Sequence, residues 1–570
     1  MAWPDMFGRV CRHGLGAMGD RELLVMEVLG EVGEEEEGEG KEEEGIPTDT
    51  SCLNLVTVAA VVAALGGLLF GYDIGVISGA RAQVGRELGL TCAQEELVVA
   101  VLPLGALSAS LAADPALTHL GRRATIQLTA ATFVVGALAM ALAPALPLLL
   151  AGRFVVGFAV SLSAMAESLY ISEIADASNR GLLVGLNELG ITVGLLLAYI
   201  ASFTFVAAPA GWRWMFGLSA AVAAAQLLLL LLLPRTPHYL VLRGREAEAA
   251  AVLRRLRGPA AAVRQEVAEI RRSVLEAEAA YCSSLFGSEH NLRRRLGVAL
   301  GLVVLQQLSG QPNILYYAAD VFEAVGFCGA TLAALASVGL GVVKVAATVA
   351  ALCLVDRVGR RRLLLAGVAA MAAALAVLTL AAAYQLHLGG LGRHMSCTYS
   401  NSSTPLHSGV LLHRNTTAPA CGATAAPAAL RHLAAAAVVT FVAAYSLSFG
   451  PVTWVLLTEL FPLGAKAKAM ALGQAANWAT NSLVSVTFLD LVRAAGLPAV
   501  FASYLLAALL AAAFVYLAVP ETRGRSLGQV AEQLRAGAKD GAGAGSWPGA
   551  RERTGASRGG NHFVLLEEEE

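Results

Sequence analysis

The feature that most constrains this chain is a succession of long, nearly uncharged apolar runs. A helix needs about 20 mainly apolar residues to cross a bilayer core of about 30 Å. About a dozen such runs can be laid along the 570 residues, at roughly 53–77, 96–116, 124–146, 149–172, 182–206 and 213–233, then 295–318, 331–355, 363–385, 432–457, 467–490 and 497–519. Hydrophobic residues make up 56% of the chain and charged residues 15%, where soluble domains carry roughly a quarter charged residues. Lipid offers the backbone no hydrogen-bond partner, so these runs must satisfy themselves as helices. The expected class is an all-α membrane protein, with 12 transmembrane helices in two six-helix bundles plus cytoplasmic helices.

The remaining segments read by composition. Residues 1–50 hold the acidic tract GEVGEEEEGEGKEEEG and lack a signal-peptide pattern, so a disordered acidic tail is expected there. The expected domains are bundles at 51–234 and 295–527, a cytoplasmic helical linker at 235–294 and a disordered tail at 528–570. The linker's GREAEAAAVLRRLRG and VRQEVAEIRRSVLEAEAAY are amphipathic and suit a membrane surface. A net charge of -2 offers no basic excess for nucleic acid. Eight cysteines without CxxC pairs speak against a metal site. With no nucleophile–base set or phosphate loop, the expectation is a non-enzyme with no catalytic residues, cofactor or metal.

Lysine and arginine set the orientation. Arg122, Arg123, Arg180, the 235–294 segment, Arg357 to Arg362, Lys466, Lys468, Arg523 and Arg525 fall on one side. The positive-inside rule places that side, and both termini, in the cytoplasm. The long opposite loop, 386–431, carries acceptor sequons at Asn401 and Asn415, which suit glycosylation. Its Cys397 and Cys421 suit a disulfide in an oxidising compartment. A multi-pass protein of the plasma membrane or an endomembrane follows.

The two sets of six share landmarks. Gly-Arg-Arg stands at 121–123 and 359–361, Glu173…Arg180 recurs as Glu459…Lys466, and Pro234-x-Thr-Pro recurs as Pro520-Glu-Thr. The offset is 286 for the last two (459−173 and 520−234) and 238 for the first (359−121), and the loop 386–431 accounts for the difference of 48. Such repetition marks a secondary transporter whose substrate site lies between the halves at mid-membrane. Glu173, Arg180, Asp356, Arg357, Arg360, Arg361, Glu459 and Lys466 are expected to act as a cytoplasmic latch, pairing across the gap between bundles. Exposed pairs of about 1 kcal/mol or less would suit a latch that opens in each cycle.

Motifs through about 53–527 resemble the sugar porter family of the major facilitator superfamily: LGGLLFGYDIGVISGA (65–80), GRFVVGFAVSLSAMAESLYISEIA (152–175), VLQQLSGQPNILYY (304–317), VDRVGRR (355–361), GPVTWVLLTELFP (450–462), NWATN (477–481) and PETRG (520–524). The GQPN variant, VGLGVVKV (338–345) and the glycosylated loop are most similar to the class III facilitative glucose transporters, the group holding types 12 and 10. The resemblance implies a major facilitator fold and hexose transport by alternating access, with a monomer in the bilayer. It also implies substrate-binding roles for Gln306, Gln307, Asn313, Trp454, Asn477, Trp478 and Asn481. Primary amides both donate to and accept from vicinal hydroxyls, while an indole covers the apolar face of a pyranose.

The chain departs from the family where Glu188 replaces a glutamine, Lys344 an asparagine and Ser446 a glutamate. Pro312 stands where some members have asparagine, with Asn313 following, and Thr118 and His119 replace an aspartate and an arginine. Glu188 and Lys344 are expected to form an ion pair in the cavity and to touch substrate. Asp73 and Arg153 match a pair that couples transport to protons in some members, so proton coupling through Asp73 is an expectation, with a permanent structural ion pair as the alternative. Other readings stay open: an uncoupled carrier of another polyol or dehydroascorbate, and a sugar sensor that moves nothing. Replacing both Asn401 and Asn415 by Gln is expected to abolish the mobility shift that glycosidase treatment produces on a gel. A shift retained by the double variant would overturn the placement of that loop.

Overall fold

The computed structural model describes residues 50–176, 179–258, 262–281, 292–327, 329–387, 427–461 and 463–523. The first half comprises α1 (Thr50–Leu88), α2 (Cys92–Leu120), α3 (Arg122–Ala141), α4 (Leu146–Ile174), α5 (Arg180–Phe205) and α6 (Gly211–Leu230). Three shorter helices follow: α7 (Pro237–Leu242), α8 (Glu246–Arg257) and α9 (Val263–Tyr281). The second half comprises α10 (Leu292–Leu308), α11 (Gln311–Tyr316), α12 (Ala318–Ala324), α13 (Ala330–Val358), α14 (Arg360–His387), α15 (Ala428–Leu447), α16 (Phe449–Leu460), α17 (Leu463–Val486) and α18 (Phe488–Ala518). The tails, the loop with Asn401, Asn415, Cys397 and Cys421, and residues 282–291 lie outside the described residues.

Ten helices among the described residues are long and apolar enough to cross a membrane: α1 to α6, α13, α14, α15 with α16, and α18. The expected seventh and eleventh spans fall outside that set for a physical reason. The seventh is broken into α10, α11 and α12. The eleventh, α17, carries Lys466, Lys468, Gln474, Asn477 and Asn481. Both are the spans that bear the paired amides.

The breaks follow from local sequence. Gly310 has φ 84°, a left-handed conformation that suits glycine, and Pro312 opens α11 where a missing N–H costs nothing. Ser448, at φ −129° and ψ −81°, separates α15 from α16 ahead of Gly450 and Pro451. Backbone groups freed at such breaks need partners within the protein. Gln306 Nε2 donates to the carbonyls of Phe449, at 2.8 Å, and Gly450, at 3.4 Å. Asn313 Nδ2 donates to the Val484 carbonyl, at 2.9 Å, and to Tyr504 Oη, at 2.8 Å, pinning the broken seventh span to α17 and α18.

Within the first half the helices approach closely. A Cβ on Gly71 would stand 1.7 Å from the Ile191 carbonyl oxygen, and one on Gly157 would stand 2.0 Å from that of Leu102. This is the small-residue packing of membrane helices, where dispersion replaces the hydrophobic drive between helices. The halves meet along α2 with α17 and α5 with α13. Outward-facing chains such as Leu142, Leu232, Leu380 and Leu517 stay exposed, as a lipid-facing surface requires. The linker helices bury Leu240, Val241, Leu253, Val267 and Ile270 in a small core of their own.

Alanine at Gly310 would place its Cβ 2.2 Å from Tyr504 Cδ2. Gly310→Ala is expected to cost about 1–2 kcal/mol for the left-handed backbone and about 1–3 kcal/mol for overpacking. Thermal unfolding in detergent measures it, and an unchanged midpoint would contradict the tightness of this break.

Candidate functional site

The breaks in the seventh and tenth spans put polar side chains at the centre of the protein. Gln306 and Gln307 are neighbours on α10, so they point about 100° apart around the helix. Gln306 turns to the start of α16, and Gln307 turns to α17. Asn477 and Asn481 are one turn apart on α17 and share a face. Gln307 Nε2 donates to Asn477 Oδ1 at 2.5 Å, and Asn481 Nδ2 donates to Gln307 Oε1 at 3.2 Å. Tyr316 Oη and Ser485 Oγ donate to Asn481 Oδ1 at 3.3 and 3.4 Å. The four amides are at most 7% exposed, so none faces the surrounding lipid.

Beside this cluster, Trp478 is buried against Phe70 of α1, with ring centroids 5.6 Å apart, so it bridges the two halves. Its Nε1, Gln306 Oε1 and Asn313 Oδ1 are buried without a hydrogen-bond partner among the protein atoms. Trp454 is half-buried on α16 against the main core. Asn313 is fully buried, and its nitrogen is spoken for by Val484 and Tyr504.

Asp73 and Arg153 are brought together. Arg153 Nη1 lies 3.9 Å from Asp73 Oδ1, with both side chains buried. That is an ion-pair distance but too long for a hydrogen bond. Arg153 Nε donates to the Val98 carbonyl at 3.2 Å, and both Asp73 oxygens lack a hydrogen-bond partner. Glu188 and Lys344 differ from expectation. Each lies in the electrostatic field of the other, yet they do not close into an ion pair. Lys344 Nζ instead donates to Ser446 Oγ at 3.3 Å and lies 5.7 Å from the centre of the Tyr445 ring. A nearby hydroxyl and an aromatic face on α15 hold the ammonium on its own half.

Where the latch is described, its charges pair differently from expectation. Arg122 pairs with Glu173 at 2.8 Å within the first half, and Arg360 pairs with Glu459 at 2.9 Å within the second. Helices of one bundle are nearer neighbours than helices facing across the gap, so these charges tie each half to itself. Arg361 Nη2 donates to the Tyr516 carbonyl at 2.5 Å, Arg357 is exposed, and Lys466 is half-buried. The side chains of Arg180 and Asp356 lie outside the described residues.

Charges that do cross between halves lie at the opposite end, where sequence reasoning missed them. Arg81 of α1 bonds Glu95 of α2 and Asp320 of α12. Ser78 Oγ accepts from the Ala319 N–H at 3.0 Å, and Glu96 Oε1 accepts from the Asp490 N–H at 2.8 Å. The available signal was an arginine and two glutamates at the edges of apolar runs. Glu167 was missed too. It is fully buried in α4 and accepts from Ser163 Oγ at 2.5 Å and Gln226 Nε2 at 3.2 Å.

A family model described as "Sugar (and other) transporter" matches residues 59–395 and 409–534. Facilitated glucose transporter member 10 of solute carrier family 2, from Mus musculus, is 40% identical over 527 residues, covering 84% of this chain and 94% of the relative. Member 12 of that family, from Xenopus laevis, is 36% identical over 537 residues, covering 86% and 91%. A partially occluded inward-open structure of the xylose transporter XylE from E. coli superposes with a TM-score of 0.67 at 26% identity, covering 83% of this chain and 100% of that one. XylE described as a proton:xylose symporter bound to 6-bromo-6-deoxy-D-glucose gives 0.65 at 27% identity, covering 85% and 99%.

Arg81→Ala would leave the Glu95 and Asp320 carboxylates without their guanidinium at a buried junction. Closure of that end is expected to weaken by about 3–5 kcal/mol. The check is thiol alkylation at Leu315→Cys, which is 2% exposed. An impermeant reagent applied from that end should label it faster in the Arg81→Ala background, and equal rates would show that the contact does not hold the end shut.

Proposed function

The chain belongs to the sugar transporter family, and from that premise we propose that it carries a hexose across the membrane by alternating access. It is an integral multi-pass membrane protein with the helices for it, and like its relatives a transporter and not an enzyme. The observation that carries the substrate reading is the amide cluster Gln307–Asn477–Asn481 between broken helices at the centre of the fold. Each amide bonds another amide, so a hydroxyl can take the place of a partner without leaving a buried donor or acceptor unmatched. Gln306 Oε1 and Trp478 Nε1 offer one further acceptor and one further donor. The indoles of Trp478 and Trp454 supply flat apolar surface for a pyranose.

Alternating access needs one end shut while the other can part. Arg81, Ser78 and Glu96 tie the halves together at the end away from the basic loops. At the basic end, the Arg122–Glu173 and Arg360–Glu459 pairs stay within a half and leave the halves free to separate. The arrangement fits an inward-facing state, with the basic end and both termini in the cytoplasm. Cys92, at the shut end, takes part in a disulfide, which suits an oxidising compartment there.

The Asp73–Arg153 geometry supports proton coupling as a second layer of this reading. A buried carboxyl 3.9 Å from its guanidinium, with no hydrogen bond to hold it, loses a proton as the pair tightens and gains one as it parts. Uptake is then driven by acid outside. Proton binding from the acidic side neutralises Asp73, and its release into the cytoplasm restores the pair.

Purified protein in liposomes is expected to take up labelled hexose, and Gln307→Ala to lower uptake about tenfold, the scale of two lost neutral hydrogen bonds. No hexose flux in the parent protein would overturn the transport reading. An inward proton gradient is expected to raise uptake, and Asp73→Asn to abolish that increase while leaving sugar exchange in place. Equal uptake with and without the gradient would exclude coupling.

A further inference from the structure

The repeat joins two helix starts that are built alike. Gly121 (φ 80°, ψ 163°) precedes α3, and Gly359 (φ 99°, ψ 147°) precedes α14, each followed by two arginines. In the second half Arg360 pairs with Glu459 at 2.9 Å, and Arg361 donates to the Tyr516 carbonyl at 2.5 Å. In the first half Arg122 pairs with Glu173 at 2.8 Å, and Arg123 Nε donates to the Leu230 carbonyl at 3.1 Å. The offset of 286 relates both partners, 459 to 173 and 516 to 230.

The third element breaks the match. Glu521 Oε1 accepts the Arg360 N–H at 3.0 Å, and its Oε2 accepts the Arg361 N–H at 3.2 Å, so a carboxylate caps the positive end of α14. The same offset puts Arg235 in that place in the first half, so the chain supplies a cation where its own repeat supplies an anion. Among the described residues no side-chain cap stands at the start of α3, whose N-cap is Gly121. In front of it lies a cleft of about 140 Å³ lined by Arg122, Arg123, Gln127, Arg235, Thr236 and Tyr239. Thr236 is 1% exposed, and its Oγ1 has no hydrogen-bond partner among the described residues. Its counterpart Thr522 donates to Glu459 at 2.5 Å.

The cleft therefore gathers the uncapped N–H groups of a helix start, a lone buried hydroxyl and three guanidinium groups. Glu173 is matched by Arg122, and among the described residues no carboxylate lines the cleft itself. We propose that this cleft binds a phosphate group, from an anionic lipid headgroup or from a soluble phosphate, in the place that Glu521 fills in the other half. A tetrahedral oxyanion offers enough acceptors for the α3 N–H groups, the Thr236 hydroxyl and a forked guanidinium at once. The cleft lies where α2 ends and α3 begins, at the headgroup level of a spanning helix, where basic pockets between helices recognise phosphorylated lipids. Bound there, the phosphate ties the Pro234–Tyr239 segment to α3 as Glu521 ties the Pro520–Arg523 segment to α14.

The test uses the full chain in phosphatidylcholine nanodiscs and follows the thermal unfolding midpoint. One arm titrates inorganic phosphate, and the other incorporates phosphatidylinositol 4-phosphate. The parent protein is expected to gain stability in at least one arm, and the arm that responds identifies the source. Arg235→Glu is expected to raise the midpoint without any addition and to remove the response, because the new carboxylate caps α3. Arg235→Ala, which adds no cap, is expected to weaken apparent binding about tenfold or more, the scale of one charge-assisted hydrogen bond. A parent protein insensitive to both additions would overturn the proposal, as would Arg235 variants that respond like the parent.

Discussion

The hydrocarbon interior supplies no hydrogen-bond partner, and most of what is distinctive here follows from that one constraint. A straight apolar helix meets it alone, so most of the predicted spans are legible as continuous runs. A broken helix meets it only if other side chains come to the break. Gln306 does so at the start of α16, and Asn313 does so from α11 onto α17 and α18. The amides suited to sugar recognition are thus bound up with the structure that makes room for them. Tight glycine contacts complete this frame in both halves, at Gly71 and Gly157 in the first and at Gly367, whose Cβ would stand 1.7 Å from Ser448 Oγ, in the second.

The two ends of the molecule use charge differently. At one end Arg81 joins Glu95 and Asp320 across the halves, with side-chain exposures of 9%, 0% and 15%. Burial strengthens such contacts and makes their loss costly, which suits an end that is shut. At the other end the arginine–glutamate pairs stay inside each half and repeat at the same spacing. They tie helices of one half to each other and not across the halves. Where the repeat departs from itself, at Arg235 against Glu521, one helix start carries its own anion and the other faces a basic cleft.

Legibility varied with how local the physics is. Asp73 and Arg153 stood out because each is an ion in an apolar run, and the structure brings them together. Glu188 and Lys344 stood out for the same reason, but Ser446 and Tyr445, about a hundred residues from Lys344 along the chain, draw the lysine aside. Arg81 and Glu95 were overlooked because they lie at the edges of runs, where a charge is cheap until a third group, Asp320, closes over it. The paired glutamines and the two asparagines were visible as residues but not as a network, since their contacts join positions about 170 apart.

What the sequence determined by itself is the class of protein, the helix count in outline, the repeat and the chemistry stored in it. Those depend on transfer of side chains and backbone from water to lipid, which is additive along the chain and readable one run at a time. Only the tertiary structure decided which charges meet, which amide faces which, and where the halves are tied. Those depend on distances of a few ångströms between helices far apart in sequence, and a shift of one helical turn would replace every partner.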